Sequence, residues 1–211
     1  MRSRSTKIEG IAKLANAETL APLIVDPRNP CLVIHSIEDI LRTRMLAIAC
    51  GSEDADDLDY LRTDPGFKLA CGRLPDSGAD LCSQPTMSCW ENAPTLREVI
   101  RMTYAMVDIC CASYARPRHT VTLDIDDTVD VVHGLQQLAL FNAHYDERCF
   151  LPIDVYDTAT LRPVAVLLRP GKTPLGSEVC GLRDAWCAAS VRIGPQPDWP
   201  SMVTVTTGAL R

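Results

Sequence analysis

The chain has 211 residues, 46% of them hydrophobic, and a formal net charge of −6. This size and composition are typical of one large domain or two small ones with a buried core. Because the sequence contains neither a run of eighteen apolar residues nor a signal-peptide pattern, we expect neither a membrane span nor export. The negative charge, taken alone, disfavours a nucleic-acid partner.

Cysteine is frequent, with ten residues, but the chain is too long to need a disulfide framework. We therefore expect reduced thiols and a cytoplasmic protein. The cysteines form no CxxC pair and the four histidines are far apart in sequence, so no zinc site is predicted.

Helical patterns with short breaks fill the first half of the chain. Ser36 is a candidate N-cap for a helix over residues 37–50, which Gly51 ends. The acidic residues 53–57 are expected to open another short helix, because carboxylates stabilise the positive end of a helix dipole.

A loop-rich connection over residues 72–94 separates these helices from the clearest one. Within it, a short helix is expected from Thr86. Thr95 and Glu98 form a capping-box pattern, and apolar residues then recur at helical spacing as far as Cys110.

From His119 onward, apolar and polar residues alternate with the period of a strand. Two further strands are predicted over residues 148–156 and 162–169, with a hairpin turn at 157–160 between them. Residues 182–211 have no sustained period, so this tail is predicted to be irregular.

The first of these strands carries two aspartates, Asp124 and Asp126, on its polar face. Their Cα atoms are expected to be about 7 Å apart, so both carboxylates can face one divalent cation, which prefers oxygen ligands. The alternative is an acidic strand end that only faces water.

Residues 124–128, with the sequence Asp-Ile-Asp-Asp-Thr, resemble the nucleophile motif of haloacid-dehalogenase-type phosphatases. This resemblance implies that Asp124 is the nucleophile and Asp126 the acid/base. That family also has a downstream acidic pair in a doubly wound sheet. No such pair follows Thr128, and the next strands are predicted to form a hairpin, so this resemblance covers five residues.

A second resemblance runs in order from about residue 30 to residue 181. Seven segments are similar to bacterial insertion-sequence transposases of the DDE class: 35–41, 47–57, 67–75, 124–128, 132–134, 141–145 and 168–174. The resemblance implies an α+β fold, with a helical N-terminal region, the first three antiparallel strands of an incomplete RNase H-like domain and an irregular tail. The implied divisions are 1–116 for DNA binding, 117–181 for the catalytic domain and 182–211 for the tail.

The same resemblance implies a site for two Mg²⁺ ions that activate a hydroxyl for attack on a phosphodiester. Asp126 is then the first catalytic and metal-binding carboxylate, and Asp124 is the second choice. The family's second Asp and its Glu are not found, so we expect this chain to be an inactive fragment without cleavage or strand transfer.

The resemblance further implies DNA as the partner, through the element's terminal inverted repeats. The implied contacts lie at the start of a recognition helix, at Ser83, Gln84, Thr86 and Ser88. Cys89 stands where the family has Arg, which removes a contact to DNA. We also expect association with a second copy or a full-length transposase, and a position at the bacterial nucleoid when DNA is bound.

The tail suggests a frameshift between about residues 179 and 185. Codons for residues 202–210, read from their third bases, accommodate Gly-Asp-Gly-His-Tyr-Gly-Arg-Pro, the family's segment with the second Asp. The interrupted sheet is expected to leave an unpaired edge and exposed apolar surface, which favour low solubility.

Overall fold

The computed structural model describes residues 16–114, 120–134, 136–137, 139–172, 184 and 202–207. The chain forms two compact units, Met1–Met102 and Thr103–Arg211. Helices build the first unit and two sheets build the second, which confirms the predicted α+β class. In the described ranges, no helix has both the length and the apolar character needed to cross a bilayer.

The helices follow the predicted order along the chain. They are α1 (Ala17–Leu20), α2 (Ile37–Ala49), α3 (Leu58–Leu61), α4 (Pro65–Ala70), α5 (Gln84–Glu91) and α6 (Leu96–Ala112). Single 3-10 turns lie at Ala21–Leu23, Pro30–Leu32 and Ala55–Asp57. The acidic run thus opens a helical turn as predicted, whereas α5 begins two residues before Thr86 because Pro85 is suited to a first helical turn.

Helix α2 has the predicted ends. The Ser36 hydroxyl accepts a hydrogen bond from the Asp39 amide at 3.1 Å, and the Asp39 carboxylate accepts one from the Ser36 amide at 3.4 Å. Gly51 has φ +92°, a left-handed conformation in which a side chain would be strained. The inner face of α2 places Ile40 and Leu46 in two apolar clusters of the first unit.

The start of α6 is fixed by the predicted capping box. Glu98 accepts hydrogen bonds from the Thr95 amide at 2.7 Å, the Thr95 hydroxyl at 2.6 Å and the Val25 amide at 2.8 Å. These bonds, with the Thr95 side chain contributing most, lower the pKa of Glu98 to about 2. The carboxylate therefore joins the segment around Val25 to the first turn of α6.

We expect Glu98→Gln to reduce the pH dependence of unfolding in acid. The folded pKa lies below the ordinary value of 4.5, so ionised Glu98 stabilises the fold above that pH, and this contribution is lost as pH falls towards about 2. Melting temperatures at pH 7 and pH 3, followed by circular dichroism, measure the effect. Exposed Glu18→Gln is the control; an unchanged pH slope in the Glu98 variant would contradict the assignment.

Two sheets form the second unit. In chain order the strands are β1 (Thr120–Asp127), β2 (Asp130–Val131), β3 (Leu140–Asn142), β4 (Glu147–Phe150), β5 (Ile153–Asp157), β6 (Arg162–Leu167) and β7 (Met202–Thr207). The larger sheet has the order β6-β5-β1-β7, and the smaller has the order β2-β4-β3. In the larger sheet β1, β5 and β6 are antiparallel, as predicted, while β7 is parallel to β1.

The single strand predicted over residues 148–156 is wrong: it is two strands in different sheets. Pro152 lies between β4 and β5 and has no N–H to continue the ladder. The Leu151 amide instead donates to the Arg169 carbonyl at 3.0 Å, and the Pro152 carbonyl accepts from the Thr128 amide at 3.1 Å. The chain therefore passes from the smaller sheet to the larger at this proline.

The tail differs from the prediction at residues 202–207, which form β7. This segment, Met-Val-Thr-Val-Thr-Thr, is rich in β-branched residues, which favour extended backbone. Its parallel pairing covers one edge of β1, so β1 lies inside the sheet and β6 and β7 are its outer strands. The remaining part of the predicted tail, apart from residue 184, lies outside the described residues.

Candidate active site on strand β1

Strand β1 has one buried and one exposed face. Val121, Leu123 and Ile125 are buried in the apolar core formed with β5, β6 and the end of α6. Asp124 and Asp126 are exposed on the opposite face, so the predicted alternation is confirmed. The burial of the three apolar side chains fixes the register of the strand and thereby the direction of both carboxylates.

Register with the neighbouring strands brings a third aspartate to this face. Asp126 lies opposite Asp154 of β5, whereas Asp124 lies opposite Tyr156 of β5 and Thr206 of β7. Sequence analysis missed Asp154. The available signal was an alternation along β5, in which buried Ile153 and Val155 alternate with polar residues. The register that pairs Asp154 with Asp126, however, is a tertiary property.

The end of β1 is fastened to β5 through Thr128. Its amide donates to the Pro152 carbonyl at 3.1 Å, and its hydroxyl donates to Asp154 Oδ2 at 3.1 Å. Asp126 Oδ1 accepts a hydrogen bond from the Asp127 amide at 3.0 Å. The hydroxyl partly offsets the repulsion between two carboxylates placed directly across the sheet.

The donor atoms on this face suit a hard divalent cation, since aspartate oxygens are its preferred ligands. The described residues nevertheless contain no group of three or more side chains that could hold a metal ion. Asp124, Asp126 and Asp154 therefore do not make a complete metal centre within the described ranges. No reaction step through a metal follows from their geometry.

The predicted DNA-binding residues cluster at the start of α5, in the first unit. Ser83 and Thr86 hydroxyls are 3.1 Å apart, and Gln84 Nε2 donates to Ser88 Oγ at 3.1 Å. These polar groups bond to one another along the helix. Cys89, at the position where the resemblance implies Arg, is exposed.

Gln84 and Ser88 also line a groove of about 620 Å³ whose charge is strongly acidic. Arg44 also lines the groove, and its guanidinium forms an ion pair with the Glu91 carboxylate at 2.5 Å. The lining carboxylates are Glu53, Asp54, Asp56 and Glu91. This charge would repel a phosphate, so the groove itself does not favour DNA.

The topology does not favour the phosphatase alternative. In the larger sheet β1 is antiparallel to β5 and parallel only to β7, so the sheet is mixed rather than doubly wound and parallel. Asp124, Asp126 and Asp154 share one face, but the described side chains contain no group that could hold a metal ion.

Comparison with known proteins gives one family. The family model described as "Transposase DDE domain group 1" matches residues 9–189, which include the helical region, β1 and the exposed aspartates. No curated protein and no solved structure matches the chain significantly.

Proposed function

The chain belongs to the transposase DDE domain group 1 family, and from this we propose that its larger sheet is the catalytic part of a DNA transposase that cleaves and joins the ends of an insertion sequence. The observation that carries this proposal is the position of Asp126. It is exposed at the end of a strand whose other face is buried, so the sheet holds the carboxylate where a DNA backbone can approach.

We further propose that this chain is catalytically inactive as it stands. In the intact reaction Mg²⁺ would supply charge stabilisation and an activated hydroxyl, with Asp126, and then Asp124, as the ligands from β1. The described residues add no complete ligand set to these two aspartates. What this chain contributes is the positioning: the core beneath β1 and the Thr128 contacts orient the aspartates.

The frameshift hypothesis gives the sharpest test of the proposed function. We expect the chain to show no Mg²⁺-dependent nicking of DNA that carries the element's terminal repeats. A gene with one nucleotide inserted between codons 179 and 185 would encode the second Asp of the family motif. We call its product the frame-restored protein, and we expect it to nick that DNA. Cleavage is measured on end-labelled duplexes resolved by denaturing electrophoresis.

Two substitutions make that experiment decisive. In the frame-restored protein, Asp126→Asn should abolish nicking, whereas Asp76→Asn, an exposed carboxylate of the first unit, should leave it unchanged. Failure of the frame-restored protein to cleave, or cleavage by the chain as it stands, would overturn the proposal. Hydrolysis of a generic phosphate ester that Asp124→Asn abolishes would favour the phosphatase instead.

A noncatalytic DNA-binding fragment is the second candidate. The observation that favours it is β7, which completes the pairing of β1 and allows a folded sheet without a complete metal site. Such a fragment would bind the terminal inverted repeats, alone or with a full-length transposase, at the bacterial nucleoid. The acidic groove beside α5 predicts weak binding. Any contacts between cations of this chain and phosphates would make that binding strongest at low salt.

A further inference from the structure

The smaller sheet has an outer face on which Phe141 and Arg148 are exposed. On its inner face, Cys149 is fully buried and Asn142 donates a hydrogen bond to the Gly171 carbonyl at 2.9 Å. On the outer face, Phe141 of β3 lies directly opposite Arg148 of β4. Phe141 is 59% exposed, which is a large fraction for an aromatic ring on a paired strand.

Arg148 is oriented by a hydrogen bond to the backbone. Its Nη2 donates to the Ala139 carbonyl at 2.9 Å, which fixes the guanidinium beside the start of β3. Within the described ranges no carboxylate forms an ion pair with it. The neighbouring Glu147 belongs to the other face, because successive strand residues alternate. An oriented cation thus lies beside an exposed ring.

The turn between β3 and β4 extends this surface. Tyr145 is partly exposed there, and its ring meets the His144 ring edge-on with centroids 4.8 Å apart. Asp130, opposite Phe150 on the β2 side, is an acidic group on the outer face. Phe141, on β3, is therefore separated from that carboxylate by strand β4, which carries Arg148.

We propose that this face, the Phe141–Arg148 surface, binds unpaired nucleotides of single-stranded DNA. Every base has a π-face that can stack on an exposed ring, and an oriented guanidinium can bind the adjoining phosphate. The positive charge of Arg148 is complementary to the negative charge of that phosphate. The identification of the nucleic acid as DNA rests on the proposed function, in which strand cleavage at a transposon end exposes unpaired bases.

The test is binding of a fluorescein-labelled oligothymidine of about ten nucleotides to the full chain, by fluorescence anisotropy at low salt. We expect measurable binding that Phe141→Ala weakens about tenfold and Phe141→Trp restores, because tryptophan also stacks. Arg148→Ala should weaken binding and also flatten its salt dependence, since one phosphate contact is lost. Leu168→Ala, an exposed apolar residue outside the sheet, is the matched control.

Several outcomes would overturn the proposal. They are absence of binding by the wild-type chain, equal binding by the Phe141→Ala variant, and a change in oligomeric state with Phe141→Ala, which would show that a second copy covers this face. Circular dichroism of each variant excludes unfolding as the cause. If the frame-restored protein cleaves terminal-repeat DNA while Phe141→Ala has no effect, this inference fails and the proposed function stands. If Phe141-dependent binding occurs without such cleavage, this inference stands and the proposed function fails.

Discussion

Replacing Gly171 with alanine is expected to destabilise the second unit by about 3 kcal/mol, the upper range for overpacking a tightly filled position. A Cβ atom there would lie 2.4 Å from the Cys149 carbonyl oxygen, and 2.8 Å from both the Cys149 sulfur and the Leu140 carbonyl oxygen. Two of these are backbone atoms of paired strands, so they cannot move aside alone. Relief would require separating residue 171 from β3 and β4.

Hydrogen exchange read by mass spectrometry locates this effect. Peptides covering residues 140–150 should lose protection, since the bond from Asn142 to the Gly171 carbonyl breaks when residue 171 moves. Gly66→Ala is the matched control, because its Cβ would meet only one side-chain oxygen, of Asp64, at 3.3 Å. Equal urea midpoints for the Gly171 variant and the wild type would contradict close packing around residue 171.

Asp157→Ala is expected to cost about 3 kcal/mol, because it removes a buried, charged acceptor that three donors share. Asp157 is only 1% exposed at the end of β5. Its carboxylate accepts hydrogen bonds from the Tyr114 hydroxyl at 2.8 Å, the Ala159 amide at 3.2 Å and the Thr160 hydroxyl. It therefore ties the β5–β6 turn to Tyr114, two residues beyond the end of α6.

A double-mutant cycle separates the Tyr114 contact from the turn contacts. Tyr114→Phe alone should cost about 1 to 2 kcal/mol, and much less in the Asp157→Ala background, since the acceptor is already gone. The free energies come from urea unfolding followed by circular dichroism. Asp59→Ala, at an exposed position of α3, is the control. Additive losses would show that the hydroxyl and the carboxylate do not stabilise each other.

Local chemistry made the helix ends predictable. Ser36 before α2 and Thr95 with Glu98 before α6 are caps whose bonds span three residues, so nothing distant is needed to form them. The alternation along β1 was equally readable, because the side-chain direction repeats every two residues. The exposed position of Asp126 followed from that alternation.

The pairing of the strands was not predictable in the same way. The break at Pro152 was hidden because apolar and polar residues continue on both sides of it with strand-like character. The parallel strand β7 was missed because residues 202–207 gain their hydrogen bonds from β1, far away in the chain. Asp154 was missed for the same reason: only the β1–β5 register shows that it faces Asp126.

The sequence by itself determined the helix caps, the buried face of β1, the two exposed aspartates and the resemblance that the family match supports. Those features depend on neighbours a few residues apart or on residue order. Only the tertiary structure decided which carboxylates and rings lie side by side, including Asp126 with Asp154 and Phe141 with Arg148. Strand register sets such pairs, and it results from how distant apolar residues pack together.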